Sequence, residues 1–325
     1  MAGMNDSAVS TNLVRSNLWS SELKEILRDE MQAQRYVRML EGFPDGDTFN
    51  IPQIGTIGTN DYVDDQAGGV TYDPLTTSNF TFTVDKYLTS ATYITKQAQQ
   101  DSFYAAQLEA RFAPEQARAI LEHFETTTFA APESGLADNA SVAVNSIAHR
   151  ISGGNGGKIE LADFAYARYA LKKASTPDRG LVAIVDPSVE FQLNTLSNIV
   201  GVANNPMFEG IVRDGIATGM RFVANVYGFD VYTSNFLPSN VNDTALAERD
   251  GTTTNAFNVN NGVANYFFTT EGDANPFVGA WRQMPEVDYE YNKDRQRHEY
   301  VTSARYGVKK YRDETMVTVV TDPNV

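Results

Sequence analysis

The periodicity of the apolar residues changes from that of a strand to that of a helix near residue 96, and this change constrains the fold more than any motif. Residues 78–94 alternate, with Phe80, Phe82 and Val84 on one side and polar residues on the other, which predicts a strand. Residues 97–127 then follow a helical spacing and predict a long helix that spans roughly 45 Å. A strand that leads into so long a helix fits neither an all-α nor an all-β fold.

A second strand is predicted over residues 47–57, and the polar connection over 58–76 is far longer than an ordinary hairpin loop of about two to five residues. A two-stranded ribbon with arms of about ten residues reaches roughly 33 Å and is marginally stable alone in water. Something must therefore cover Phe80, Phe82 and Val84. A partner within the chain is one alternative, but the long polar connection favours neighbouring copies of the chain.

The remaining predicted elements mix helices and strands without a regular β-α-β order, which indicates an α+β fold. An amphipathic helix begins near Leu18 and continues to about residue 40, after a mobile arm of about sixteen residues. Pro114 predicts a kink or a restart in the long helix. Further predicted elements are a helix over 160–175, strands over 181–185 and 224–232, a helix from Pro187 to about residue 199, and strands over 285–291, 299–311 and 316–321.

Composition and charge exclude several classes of protein. The chain has no cysteine, which excludes disulfides, thiolate zinc sites, iron–sulfur clusters and a cysteine nucleophile, and suits a reducing cytoplasm. Its 26 Lys and Arg against 41 Asp and Glu give a net charge of −15, which argues against whole-surface binding to nucleic acid or anionic lipid. No run of about 20 apolar residues predicts a membrane span, and the N-terminus does not read as a signal peptide.

None of the motifs that suggest a catalytic or metal-binding site matches its pattern and surroundings fully. The histidines at 123, 149 and 298 lack the spacing of a metal site. Residues 152–158 look like a phosphate-binding loop, but Ser152 replaces its first glycine and Ile159 replaces its hydroxyl residue. The sequence Tyr-Val-Asp-Asp at 62–65 resembles a metal-binding tetrapeptide of reverse transcriptases, but its Gly-rich polar surroundings favour a solvated acidic tip. We therefore expect no enzymatic activity, no cofactor and no metal.

One basic region interleaved with tyrosines lies near the C-terminus, over residues 293–312, and it includes Arg295 and Arg297. A platform for single-stranded nucleic acid would need cations and aromatics on one face, but acidic residues such as Glu299 interrupt the pattern. We interpret the region as a sheet whose charges meet acidic surfaces of neighbouring subunits.

The order of the elements resembles that of the major capsid proteins of tailed bacteriophages, which have the Hong Kong 97 type of coat fold. This order is an arm, a long two-stranded excursion, a long helix, a compact α/β unit and a closing set of long strands. The stretch from Val226 to Asn235 contains Gly-Phe-Asp-Val-Tyr-Thr-Ser-Asn, which is similar to the G-F-x-V-x-x-S-N sequence common in these proteins. Leu181 to Pro187, a strand that runs into a helix, is also similar.

The resemblance implies a division of the chain into regions. These are an N-terminal arm over 1–46, an extended β-hairpin loop over 47–96, a peripheral domain with the spine helix over 97–157, an axial domain over 158–275 and the return strands of the peripheral domain over 276–325. The candidates for contacts between subunits are Trp19, Tyr62, Asp64, Asp65, Tyr72, Phe80, Phe82, Val84, Arg295 and Arg297.

The function implied by the resemblance is a major capsid protein that self-assembles, in the host cytoplasm, into an icosahedral virion shell around a double-stranded DNA genome. The implied partners are further copies in hexamers and pentamers, a separate scaffolding protein, a portal protein and a decoration protein. A separate scaffold is expected because no fused scaffold segment precedes the arm. Packaged DNA would be enclosed without specific binding. The alternative is the shell of an encapsulin-like nanocompartment, which holds cargo enzymes.

Overall fold

The structure is a computed structural model of the 325-residue chain. It describes residues 31, 33–41, 46, 48–55, 57–62, 64, 70, 72–75, 77–101, 105–137, 140–195, 225–239, 241, 246–251 and 262–323. Trp19, Asp65 and most of the first predicted helix lie outside the described residues. Within the described part of the chain, no helix is long and apolar enough to cross a membrane.

Helices and strands are interspersed along the described chain. The helices are α1 (Ala33–Tyr36), α2 (Lys96–Asp101), α3 (Ala105–Ala130), α4 (Gly154–Gly157), α5 (Leu161–Lys173) and α6 (Pro187–Thr195). The strands are β1 (Arg38–Met39), β2 (Thr48–Ile54), β3 (Thr77–Thr83), β4 (Lys86–Thr95), β5 (Ala143–Val144), β6 (Ile147–Ala148), β7 (Arg150–Ser152), β8 (Leu181–Val185), β9 (Asn225–Val226), β10 (Phe229–Thr233), β11 (Val263–Thr269), β12 (Phe277–Asn292), β13 (Arg297–Lys310) and β14 (Met316–Thr321). This mixture confirms the α+β prediction.

A four-stranded sheet in the order β1-β12-β13-β4 carries the long helix α3 on one face. The helix contacts the sheet through rings: Phe124 stacks on Trp281 with ring centroids 4.9 Å apart, and Phe112 meets Tyr300 edge-on at 5.6 Å. Because β13 alternates, its even-numbered residues from Tyr300 to Tyr306 are buried under this helix. Phe112 and Phe124 of the long helix therefore lie on a face that packs against the sheet.

A six-stranded mixed sheet in the order β7-β14-β11-β8-β10-β9 forms the second layer. Strands β8, β11 and β14 are buried at every residue, which explains why their sequences are continuously apolar or lack clear alternation. Helix α5 packs on this sheet, where Phe164 meets Phe267 edge-on at 4.9 Å. Strands β7 and β14 lie outside residues 158–275, the predicted axial domain, but they pair within the same sheet as β8, β10 and β11. This sheet therefore joins the predicted axial domain to the rest of the chain.

Strands β2 and β3 form a separate two-stranded ribbon, paired from Thr48 opposite Thr83 to Ile54 opposite Thr77. This confirms the predicted hairpin with its long connection. The strand predicted over 78–94, however, is two strands: β3 pairs with β2, whereas β4 pairs with β13. The chain changes partner at Val84 and Asp85.

Two further predictions need correction. The residues after α1 are not helical, because Arg38 and Met39 pair as a strand with Val278 and Gly279 of β12. The close approach depends on Gly279, since a Cβ at that position would lie only 3.0 Å from the side chain of Val37. Helix α3 also continues through Pro114, so of the two predicted outcomes the restart is wrong, and the kink stays a prediction. Gln116, two residues later, is hydrogen-bonded to β13, and this tertiary contact holds the helix on the sheet.

Candidate assembly surfaces

The base of the ribbon is fixed by the chain itself. Phe82 and Val84 are fully buried and pack with Val278 and Ala280 of β12. The favoured interpretation, that neighbouring copies cover these two residues, is therefore wrong, and the alternative of a partner within the chain is confirmed for them. The sequence could not show this, because the residues that cover Phe82 and Val84 lie almost 200 positions farther along the chain, beyond the reach of local periodicity.

Phe80 and Gly307 complete the attachment of the ribbon. The ring of Phe80 is half-buried and meets Tyr311 edge-on at 4.9 Å. The Lys309 ammonium lies 5.1 Å from the centroid of this ring and donates a hydrogen bond of 2.9 Å to the carbonyl of Thr81. At Gly307, a Cβ would lie 2.6 Å from the Thr83 carbonyl oxygen, so only glycine allows this approach of β13 to the ribbon.

The connection between the ribbon strands carries exposed aromatic and apolar side chains. Tyr62 is 62% exposed and Tyr72 is 89% exposed, and Ile57 and Val70 are also exposed. These four residues line an open cleft of about 280 Å³ together with Gly58, Asn60, Asp61 and Asp73. Asp64 is exposed. A base that is fixed by its own chain and a connection that exposes aromatic side chains to solvent are typical of a surface that contacts another molecule.

The basic region over 293–312 finds acidic partners within its own chain. Arg297 pairs with Glu299 at 2.5 Å, and its guanidinium lies 4.3 Å from the ring of Tyr93. Two more pairs, Lys310 with Asp313 at 2.6 Å and Arg312 with Glu314 at 3.0 Å, follow the same pattern. Acids of neighbouring subunits are thus not needed to neutralise these three cations, which corrects part of the sequence-based interpretation. Arg295 is exposed in the turn between β12 and β13.

Buried polar side chains tie the long helix α3 to its surroundings. The fully buried Glu125 carboxylate accepts a hydrogen bond of 2.7 Å from the backbone N–H of Ala33. Gln116 donates to the carbonyl of Tyr300 at 3.1 Å and accepts from Thr302 at 2.8 Å. Sequence reasoning missed both residues. Their only signal was a polar residue at a position where the helical spacing expects an apolar one.

The Gly-rich segment at 152–158 contacts a carboxylate of its own chain. Asp163 accepts hydrogen bonds from the backbone N–H groups of Gly154 at 3.4 Å and Glu160 at 2.8 Å. Arg249 bridges Asp163 and Glu160, each at 2.8 Å. Burial raises the pKa of Asp163, and the N–H donors and Arg249 oppose that shift. The segment includes the end of β7 and the short helix α4.

The three histidines lie in separate contacts. His123 contacts the hydroxyl of Tyr306 at 2.7 Å, and His298 contacts that of Tyr289. His149 is buried, and its Nδ1 lies 3.0 Å from the carbonyl of Met316. Among the residues that the structure describes, no group of three or more histidine or acidic side chains could hold a metal ion.

Comparison with known families places the chain among capsid proteins. The family described as "Phage capsid protein" matches residues 77–319, which is most of the chain. The chain belongs to this family.

Solved phage capsids share the fold of this capsid protein. It is similar to a capsid structure of the Helicobacter pylori bacteriophage KHP30, with a TM-score of 0.70, 10% identity and 99% of each chain covered. It is also similar to a structure of Mycobacterium phage Che8, with a TM-score of 0.67, 15% identity and coverage of 95% of this chain and 97% of that one. No curated protein sequence matches. The Hong Kong 97-type fold is confirmed, and the chain is a phage major capsid protein; the encapsulin-like alternative is not favoured.

Proposed function

We propose that this capsid protein builds its shell from hexamers and pentamers, and that the ribbon β2–β3 with its connection contacts neighbouring subunits. The observation that carries the proposal is the contrast between the two ends of the ribbon. Phe82 at its base is buried by the protein's own core, whereas Tyr62 and Tyr72 in the connection remain exposed. A buried base fixes the direction of the ribbon, and exposed aromatic side chains supply contact area to a partner.

The proposed division into domains follows the two sheets in part, since β4 of the four-stranded sheet lies in the region 47–96 and β1 in the arm. The peripheral domain would comprise 97–157 and 276–325, with helix α3 on the four-stranded sheet. The axial domain would comprise 158–275, and β8, β10 and β11 of the six-stranded sheet support this assignment. Strands β7 and β14 would then link the peripheral domain to the axial sheet. The arm at 1–46, including Trp19, is proposed as a further contact with neighbouring subunits.

The other proposed partners come from the family resemblance. They are a scaffolding protein encoded separately, a portal protein at one vertex, and a decoration protein on the outer surface. Assembly in the host cytoplasm belongs to the same proposal. Each of these partners can be tested by co-expression and co-purification with the capsid protein.

Replacement of residues 58–76 by a two-residue Asn-Gly turn tests the role of the connection. The exposed connection buries little apolar surface in the subunit, so we expect the melting temperature to change little while shell formation is lost. A matched control is Tyr227→Ala, which removes another exposed tyrosine in a turn outside the ribbon and should leave assembly intact. Normal shells from the shortened variant would remove the proposed interface.

Packaged DNA is proposed to be enclosed without specific binding. The net charge of −15 repels a duplex, and acids of the same chain already pair with Arg297 and Lys310. We expect free subunits to bind duplex DNA with a Kd weaker than about 10⁻⁵ M at physiological salt. A fluorescence anisotropy titration measures this value. Tight, salt-dependent binding that disappears when Arg295, Arg297, Lys309 and Lys310 are neutralised would contradict the proposal.

A further inference from the structure

Strands β4 and β12 of the four-stranded sheet differ in how their edges away from β13 are protected. Strand β1 pairs with β12 only at Val278 and Gly279. The rest of β12 carries Pro285 and the acids Glu286, Asp288 and Glu290, and its register with β13 shifts twice near the middle. Proline, charges and irregular register are the features by which natural sheets prevent a further strand from pairing.

Strand β4 has none of these features after its first residue. From Tyr87 to Thr95 it contains no charged residue, proline or glycine, and its ten residues pair with β13 in unbroken register. Within the described part of the chain, β13 is the only strand paired with β4. A strand of ten residues is roughly 34 Å long, and its outer edge presents alternate N–H and C=O groups. Such an edge is a template for another strand.

The exposed face of β4 next to this edge supplies contact surface as well. Tyr87 is 64% exposed and Tyr93 is 56% exposed, and both lie on the same face because they are an even number of residues apart. The smaller residues Thr89 and Ala91 lie between them on that face. Arg297 restricts the ring of Tyr93 by lying 4.3 Å from its centroid. The side chains of an added strand would lie between two aromatic rings.

We propose that, in the assembled shell, an extended segment of a second copy of this chain pairs with the outer edge of β4. The inference rests on the proposed function, in which copies of this chain form the shell. In such a shell every copy supplies one β4 edge and one partner segment, so the two occur in equal numbers. The backbone of β4 requires an extended partner, and a strand added to an edge gains main-chain hydrogen bonds without a preformed pocket. A different patch on each copy makes the contact heterologous, which is the type that closes into rings.

Substitution of an edge residue by lysine tests the proposal, because a charge on the edge opposes pairing. Ala91→Lys adds the charge to β4 at an exposed position, and the matched control Val287→Lys adds the same charge to the protected edge of β12. We expect Ala91→Lys to raise the protein concentration needed for assembly about tenfold or more, and Val287→Lys to leave it unchanged. Both free subunits should melt within about 2 °C of the wild type, as exposed substitutions do.

Hydrogen exchange on the wild-type chain gives a second readout that needs no variant. Amides of residues 86–95 should exchange more slowly in shells than in free subunits, whereas those of 284–291 should change less. Wild-type shells with unprotected 86–95 amides, and normal assembly of Ala91→Lys, would overturn this inference alone. A shell reconstruction with a scaffolding protein on the β4 edge would also overturn it. Failure of the wild type to assemble under any condition would instead contradict the proposed function together with the inference.

Discussion

Phe82→Ala tests whether the ribbon is anchored within the subunit. The Phe82 side chain is fully buried against β12 and the residues around it. A phenylalanine buries at least about 150 Å², which at about 25 cal/mol per Å² is worth about 4 kcal/mol, within the range of about 3–5 kcal/mol for Phe to Ala in a core. We expect this loss in the free subunit, before any assembly.

The assay is urea unfolding of free subunits, followed by circular dichroism. With a slope of about 3 kcal/mol per M, a loss of about 4 kcal/mol lowers the midpoint by about 1.3 M. The matched control is Tyr72→Ala, since that exposed ring should contribute less than about 0.5 kcal/mol. A loss below about 1 kcal/mol for Phe82→Ala would refute the argument, because it would mean that neighbouring copies cover this ring.

Three further predictions concern the ionisable groups. Arg150→Ala should lower the free energy of unfolding, measured in urea, by about 3–5 kcal/mol. The reason is that Arg150 and Glu133 form a nearly buried ion pair at 3.0 Å, and the substitution leaves Glu133 without this partner. An unchanged urea midpoint would contradict this prediction. Burial lowers the pKa of His149, so the folded state should lose stability as the pH falls below about 6.5, and His149→Gln should flatten this dependence in thermal melts. Hydrogen bonds from Arg168 and Lys172 lower the pKa of Asp178 to about 2, so Asp178→Asn should cost less than about 1 kcal/mol at pH 7, a difference that disappears as the pH falls from about 4 to 2.

The sequence predicts elements well where burial follows one local period. Strand β8 and helix α5 lie within about two residues of their predicted bounds, because a continuous apolar strand and an amphipathic helix each determine their own boundaries. The change of partner between β3 and β4 was not predictable in the same way. Even-numbered residues from Phe82 to Ile94 face the protein throughout, so alternation continues in phase while the hydrogen-bonding partner changes from β2 to β13.

The candidate surfaces show the same limit. Exposure of Tyr62 and Tyr72 follows from their polar, Gly-rich surroundings and could be predicted locally. Burial of Phe82 depends on Val278 and Ala280, whereas the pairing of Arg297 with Glu299, two residues farther along the same face of β13, is a local feature that the sequence could have predicted. The role of Glu125 depends on an N–H group at Ala33, far away along the chain. Such partners are set by tertiary packing, which no local period contains.

The central claim is that this phage capsid protein assembles through its ribbon and the connection at 58–76. The most direct test is electron microscopy and light scattering of the purified chain, alone and co-expressed with its scaffolding protein. We expect hexamers, pentamers or closed shells, in which density for Tyr62 and Tyr72 contacts a neighbouring subunit. A compact monomer at every salt concentration and with the scaffold present would contradict the claim, as would shells in which the connection contacts no neighbour.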